Sequence, residues 1–127
     1  MKYLITALLL LATLSVGNAQ DLTVTTVDFA TSISERSPVG VDTTFSATVG
    51  TVYCFSRVQG ATDTTNIDHV WYYKDQEKAR INLAVNTDDW RTWSSKKILE
   101  QWTGRWRVLI EDANGRVLDS KSFVIRE

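Results

Sequence analysis

The sequence predicts an all-β domain, a small immunoglobulin-like antiparallel β-sandwich of about seven or eight strands. Two observations predict this fold class. Thr, Val, Ile and aromatic residues are abundant in short apolar runs separated by turn residues, as is typical of strands. No stretch of ten or more residues has the apolar spacing of an amphipathic helix. Short strands at regular spacing without helices favour a sandwich over an α/β fold.

Each predicted strand is a short apolar or alternating run that stops at turn residues. In chain order these runs cover residues 22–29, 44–49, 51–58, 69–73, 80–85, 106–112 and 116–125. The alternation of the first run slips at Thr25 and Thr26, which predicts a β-bulge there.

Three turns are predicted between these strands. One covers residues 37–40, with the sequence SPVG, and a second lies around residues 74–76. The third is Asn114-Gly115, flanked by alternating apolar residues, which is the strongest short-range signal for a hairpin.

Residues 1–19 are predicted to be a signal peptide, and residues 20–127 a single β-sandwich domain. The leader has a basic start at Lys2, an apolar run well short of the roughly 20 residues that span a membrane, and small residues before the cleavage point. Removing 19 of the 127 residues leaves 108, enough for one domain. We therefore expect a periplasmic or secreted bacterial protein with no stable membrane insertion after cleavage.

The charge balance and the cysteine content argue against several classes of function. Without Lys2, 13 of the 14 basic residues remain against 15 acidic ones, so the domain lacks the basic excess of a nucleic-acid binder. Cys54 is the only cysteine and His69 the only histidine, so neither an internal disulfide nor a Cys/His zinc site can form. We expect no metal, no cofactor and no nucleic-acid partner.

Cys54 and His69 are also the only pair that suggests covalent catalysis. Cys54 lies in the run VYCF, which indicates a buried strand, and a buried cysteine is an inert hydrophobe. His69 alternates with Ile67 and Trp71 on one face of its strand. We expect a half-buried histidine bonded to backbone or to a neighbouring acid, the alternative being a pH-sensitive contact or a ligand hydrogen bond.

The remaining acidic candidates are Asp63 and the pair Asp88-Asp89. Glycoside hydrolysis needs two carboxyl groups that face each other, whereas adjacent acids on a strand point to opposite faces. The loop around Asp63 offers too few oxygen ligands for calcium. We expect solvated turn residues, no catalytic residues and a protein that is not an enzyme.

Four of the five tryptophans lie between Trp90 and Trp106. Trp106 alternates with apolar residues of a predicted strand, so we expect it in the core, and Trp102 is expected to close one end of the sandwich. From Trp90 to Arg107 there are five basic residues and one acid, Glu100, in a chain with a net charge of −1.

Trp90 and Trp93 fall on opposite faces if their segment is a strand and share a face if it is a tight turn. An aromatic ring beside cationic donors suits a sugar or an anionic polymer, and it equally suits a cation–π stack that only rigidifies the domain. The candidate ligand-binding residues are Trp90, Arg91, Trp93, Lys96 and Lys97, with Tyr72 or Tyr73 nearby.

Several motifs together resemble a bacterial family of unknown function, DUF2914. They are RSPV, TVYCF, IDHVWYY, WRTWSSK, WTGRWRV and the closing DANGRVL, in this order, over nearly all of the chain after the leader. The resemblance implies a small β-domain of envelope proteins and brings no established activity. Gly40 and Cys54 depart from the family, where Asp and an aromatic residue are usual.

These observations predict an exported, non-catalytic β-sandwich that acts as a cell-envelope binding or interaction module. Its partner would be an envelope protein or a glycan such as peptidoglycan. The alternative is a structural accessory or self-associating domain without a ligand site.

Overall fold

The computed structural model describes residues 20–127, and every regular element among them is a strand. The predicted signal peptide, residues 1–19, lies outside the described residues. Within residues 20–127, no helix is long and apolar enough to cross a membrane. The ten strands are β1 (Thr23–Ala30), β2 (Ser32–Ser34), β3 (Ser37–Val39), β4 (Thr44–Ser46), β5 (Thr51–Gln59), β6 (Thr65–Tyr73), β7 (Gln76–Val85), β8 (Asp89–Lys97), β9 (Gly104–Asp112) and β10 (Val117–Arg126).

Eight of these strands form the two sheets of a β-sandwich. One sheet has the order β1-β5-β8 and the other β4-β10-β9-β6-β7, while β2 and β3 form a separate short hairpin. This order corresponds to strands A-B-E facing G-F-C-C′ of an immunoglobulin fold, with β4 added beside G. The predicted fold class is confirmed, and of the strand pairs in residues 20–127 only β4 with β10 is parallel.

The bulge predicted in the first strand is confirmed. The pairing of β1 with β5 skips Thr25, between the pairs Val24–Val58 and Thr26–Arg57. The extra residue shifts the alternation by one, so Val24 before the bulge and Val27 after it both point toward the core. The bulge that the phase slip predicts therefore lets both halves of β1 pack against the core.

Two of the three predicted turns differ in detail. Residues Ser37–Val39 form β3 rather than a turn, and the turn that precedes it is made by Glu35 and Arg36, both with positive φ (50° and 61°). The β9–β10 hairpin exists, but Asn114 is not left-handed. The turn is closed by the Gly115 N–H, which donates to the Asp112 carbonyl (3.0 Å), and Gly115 itself has a φ of 80°. The hairpin therefore has a three-residue loop.

The core lies between the sheets and is dominated by aromatic rings. Trp71 of β6 and Trp106 of β9, both fully buried, lie with their centroids 6.0 and 5.9 Å from Phe123 of β10. Phe29 of β1 meets Phe123 at 4.6 Å and so joins the two sheets. The core position predicted for Trp106 is confirmed, and Trp71 occupies the position of the buried tryptophan on strand C of immunoglobulin domains.

Candidate functional site

The five candidate residues all lie on β8, an edge strand that pairs only with β5. The segment is a strand rather than a turn, so its side chains alternate between two faces. Trp90 and Lys96 lie on the face turned toward the other sheet, with the buried Ser94. Arg91, Trp93 and Lys97 lie on the outer face. The structure therefore places the candidates along one strand and divides them between its two sides.

The free edge of β8 is identified by its hydrogen bonds. The Gly60 N–H donates to the Asp88 carbonyl (2.9 Å), and the Ile98 N–H donates to the Gly50 carbonyl (2.8 Å). In an antiparallel ladder the bonded pairs recur every second residue, so the even-numbered residues of β8 bond to β5. The carbonyl of Arg91 consequently points away from β5, to the open edge of the sheet.

Arg36 occupies this open edge. Its Nη2 donates to the Arg91 carbonyl (2.9 Å), and its guanidinium carbon lies 5.1 Å from the ring centroid of Trp90 and 5.6 Å from that of Trp93. Because Trp90 and Trp93 come from opposite faces, only a group at the edge can touch both rings. Arg36 therefore links the two half-buried tryptophans and covers part of an edge that would otherwise offer a template for strand pairing.

A second cation–aromatic cluster surrounds Trp102, in the loop just before β9. The ammonium nitrogens of Lys78 and Lys96 lie 5.5 and 5.3 Å from the Trp102 ring centroid. The half-buried indole also packs against Tyr73 (6.3 Å) and Trp106 (5.8 Å). Trp102 closes the end of the core as expected, and Lys96 belongs to this cluster rather than to Trp93. Tyr73 is thus close to the candidates, whereas Tyr72 lies on the other face of β6.

These two clusters follow the side of the sandwich where β7 and β8 run next to each other. We call them together the tryptophan strip, defined as Trp90, Trp93 and Trp102 with the cations Arg36, Lys78 and Lys96. Among residues 20–127, none of the three cations forms an ion pair with a carboxylate. The strip therefore presents positive charge and aromatic surface together. Arg36 and Lys78 were not predicted, since they are distant in sequence and show no local signal.

Asp89 does not neutralise the strip. Its carboxylate is held by Arg57 of β5, with Nη2 to Oδ2 at 2.6 Å and Nε to Oδ1 at 2.8 Å. This hydrogen bond keeps the pKa of Asp89 below its usual value, so the group is ionised and is not a proton donor. Asp63 caps the N–H of Thr64, and Asp88 precedes β8 in a bend. Within residues 20–127, no cluster of His, Cys, Asp or Glu is arranged to hold a metal ion.

Cys54 is fully buried on β5, and burial raises the pKa of its thiol far above the ordinary range. A thiol held neutral inside the core cannot act as a nucleophile. The prediction of an inert core cysteine is confirmed.

The expectation for His69 was wrong in two respects. The side chain is fully rather than half buried, and its partners are hydroxyl groups rather than backbone or an acid. The Nε2 atom of His69 lies 2.9 Å from the Ser56 hydroxyl, and its Nδ1 atom lies 2.6 Å from the Ser94 hydroxyl. The Ser94 hydroxyl also accepts a hydrogen bond from the indole N–H of Trp71 (3.1 Å). His69 comes from one sheet and both serines from the other. This network therefore joins the two sheets and is buried away from solvent.

The sequence of the second half of the chain matches a known family. Residues 64–125 match the model described as "Protein of unknown function (DUF2914)". This part of the chain belongs to the DUF2914 family. The DUF2914 match begins next to β6 and ends in β10, so it contains all of β8 and Trp102. It does not include β1 to β5, so the motifs RSPV and TVYCF lie outside the matched residues.

Other comparisons add no function to the DUF2914 region. No curated protein matches the chain. Among solved structures, it is similar to a β-glucosidase from Kluyveromyces marxianus, with a TM-score of 0.47, 8% identity, and coverage of 84% of this chain and 14% of that one. Two β-glucosidase structures from Listeria innocua, a D270A mutant with laminaribiose and a complex with glucose, give TM-scores of 0.46 and 0.47 at 8% identity. The match again covers 84% of this chain and 16% of each of theirs.

Proposed function

We propose that this protein is an exported, non-catalytic β-sandwich that works as a binding or interaction module of the bacterial cell envelope. The observation that supports it best is the tryptophan strip, in which each of three half-buried indoles lies beside a cation that has no carboxylate partner within the described residues. An unpaired cation beside an aromatic face leaves a positive charge and a flat apolar surface together, and a partner could contact both.

The chemistry of the strip favours an anionic, ring-bearing or peptide partner. Flat aromatic surface packs against the faces of sugars or against apolar side chains, and guanidinium and ammonium groups bind carboxylates. Peptidoglycan offers sugar faces and carboxylates, and an envelope protein offers apolar side chains and carboxylates. Arg91 and Lys97, which project from the outer face of the same strand, extend the positive surface beyond the indoles.

The absence of catalysis is part of the proposal. Cys54 is sealed in the core, His69 is held by two serines, and Asp89 is paired with Arg57. These three groups therefore have structural partners or surroundings that do not suit hydrolytic or thiol chemistry.

A structural accessory or self-associating domain is the second candidate, and the capped edge of β8 favours it. In that case Arg36 and Lys96 would only cover the indoles with their stems. The odd-numbered backbone groups of β8 would then pair with a second copy of the chain once Arg36 moved aside.

Binding to purified peptidoglycan and to partners from envelope extract tests the proposal. We expect the triple variant Arg91→Ala, Trp93→Ala, Lys96→Ala to lose binding while it still unfolds cooperatively. The matched control is Arg116→Ala, Val117→Ala, Arg126→Ala, which removes the same two positive charges and one exposed apolar side chain elsewhere. Equal binding by the two triple variants would refute the proposed surface, and a concentration-dependent dimer of the native chain would favour the second candidate.

A further inference from the structure

A second positively charged site lies on the outer face of the five-stranded sheet, away from the tryptophan strip. It is an open groove of about 460 Å³ beside the β6–β7 turn. Its polar lining consists of Tyr72, Lys74, Asp75, Arg105, Arg107 and Ser122.

Strand register explains why these side chains meet. Tyr72 of β6 is directly opposite Arg107 of β9, which is directly opposite Ser122 of β10, so the three form one row across the sheet. Arg105 lies two residues before Arg107 and therefore projects from the same face. Lys74 enters from the turn that follows β6. Three strands and one turn thus converge on the groove, which no single stretch of sequence indicates.

The charges of the groove are not balanced. Lys74, Arg105 and Arg107 face one acidic side chain, Asp75, and within residues 20–127 none of the three cations forms an ion pair. Like charges two residues apart on one face of a strand repel each other. The opposite end of the same face is different, since Arg80 is bound there by Asp68, Glu77 and Glu111 at 3.1 Å each.

Arg107 has a donor that the protein does not use. Its guanidinium lies 5.1 Å from the Tyr72 ring centroid, and its Nε–H is buried without an acceptor among the described residues. A buried donor without an acceptor destabilises the folded state, so such groups are rare in native proteins. The stacking on Tyr72 holds the guanidinium in place, where it forms part of the groove wall.

The turn that supplies Lys74 and Asp75 is also unusual. Both residues have positive φ, 48° and 63°, in a two-residue hairpin turn where Asn and Gly are preferred. Lysine and aspartate are less stable in this conformation, whereas glycine would relieve it and remove both side chains from the groove. Strain of this kind is found at functional sites.

We propose that this groove binds an oxyanion, either a phosphoryl or a carboxylate group carried by a partner or a small ligand. The two arginines provide planar donors that match either anion in a bidentate manner, and Lys74 adds a mobile point charge. The tyrosine and serine hydroxyls supply neutral hydrogen bonds. The groove shares no residue with the tryptophan strip, so the two proposals fail or succeed independently.

Titration of the full chain with inorganic phosphate, at constant ionic strength and followed by amide and arginine Nε NMR signals, tests the site. We expect saturable shifts at Tyr72, Arg105 and Arg107, and an Arg107 Nε–H signal that moves as its proton gains an acceptor. A parallel titration with acetate distinguishes a phosphoryl ligand from a carboxylate ligand. Tighter phosphate binding indicates a phosphoryl group, and acetate binding of equal or greater strength indicates a carboxylate.

Three variants make the test specific. Arg105→Gln and Lys74→Gln, which change exposed side chains, should each weaken binding by about fivefold or more, and Arg107→Lys should do so although it keeps the charge. Arg126→Gln removes the same charge from an exposed position of β10 outside the groove and should leave binding unchanged. NMR shift changes that grow linearly with anion concentration up to about 50 mM, without saturation, would overturn the proposal. Equal weakening by Arg126→Gln and Arg105→Gln would overturn it as well, because it would show attraction by net charge alone.

Discussion

His69 and its two serine partners are the residues that couple the sheets most directly. The imidazole is fully buried, and burial lowers the pKa of His69 from 6.5 to about 4. Desolvation is the main cause, because a charged ring would lose its hydration inside the core, and the nearby Asp68 offsets it only in part.

This shift predicts a loss of stability in mild acid. The neutral ring contributes fully above pH 6.5, and its contribution falls as the pH drops from 6.5 toward about 4, since only the unfolded chain takes up the proton there. Between about pH 7.5 and about pH 4.5 we expect a loss of about 2–3 kcal/mol in the free energy of unfolding by urea. His69→Gln should lack this part of the loss. Identical pH dependence in the two proteins would contradict the assignment.

Ser94 offers a sharper test of the same network. Its hydroxyl bonds both the His69 ring and the Trp71 indole, so Ser94→Ala leaves two buried polar groups without partners. We expect a destabilisation of about 2–4 kcal/mol in urea unfolding. The adjacent Ser95 is exposed, and Ser95→Ala should change stability by no more than about 0.5 kcal/mol. Similar costs for the two substitutions would show that the network contributes little.

Among the elements, β8 and the β2–β3 hairpin show which local structure the sequence does not predict. The bulge of β1 and the β9–β10 hairpin were predictable, because each leaves a phase slip or a glycine in the sequence. β8 was left undecided between a strand and a turn, since it buries Ser94 and so breaks the apolar alternation. The turns at residues 35–36 and 74–75 contain neither Gly nor Asn, so nothing marked their positive φ.

Arg36 tests how the hairpin protects the edge of β8. In Arg36→Gln, the contacts of the guanidinium with two indoles and with the Arg91 carbonyl are lost together. We expect stronger acrylamide quenching of tryptophan fluorescence and a stability loss of about 1 kcal/mol. The control is Arg126→Gln, an exposed arginine of β10 that makes no such contact. Unchanged quenching in Arg36→Gln would mean that this side chain does not cover the indoles.

For the whole molecule, the candidate site was predictable only in part. The sequence placed five candidates on one segment, and the structure keeps them together on β8. The cations that complete the tryptophan strip come from residues 36 and 78, and tertiary folding alone brings them there. The groove around Arg107 was missed for the same reason, because its members lie on three strands and a turn.

The central claim is that the tryptophan strip, and not the aromatic core, makes the contact with an envelope partner. The five indole N–H groups separate these parts of the molecule. Those of Trp71 and Trp106 are bonded inside the protein, to Ser94 and to the Trp102 carbonyl, whereas Trp90, Trp93 and Trp102 are half-buried beside cations.

The most direct measurement is a titration of the native chain with solubilised peptidoglycan fragments, and with the envelope protein recovered by pull-down, followed through the five indole NMR signals. We expect saturable shifts of the Trp90, Trp93 and Trp102 signals while those of Trp71 and Trp106 stay in place. Saturable binding that leaves the three strip signals unmoved, or no binding by either ligand, would contradict it.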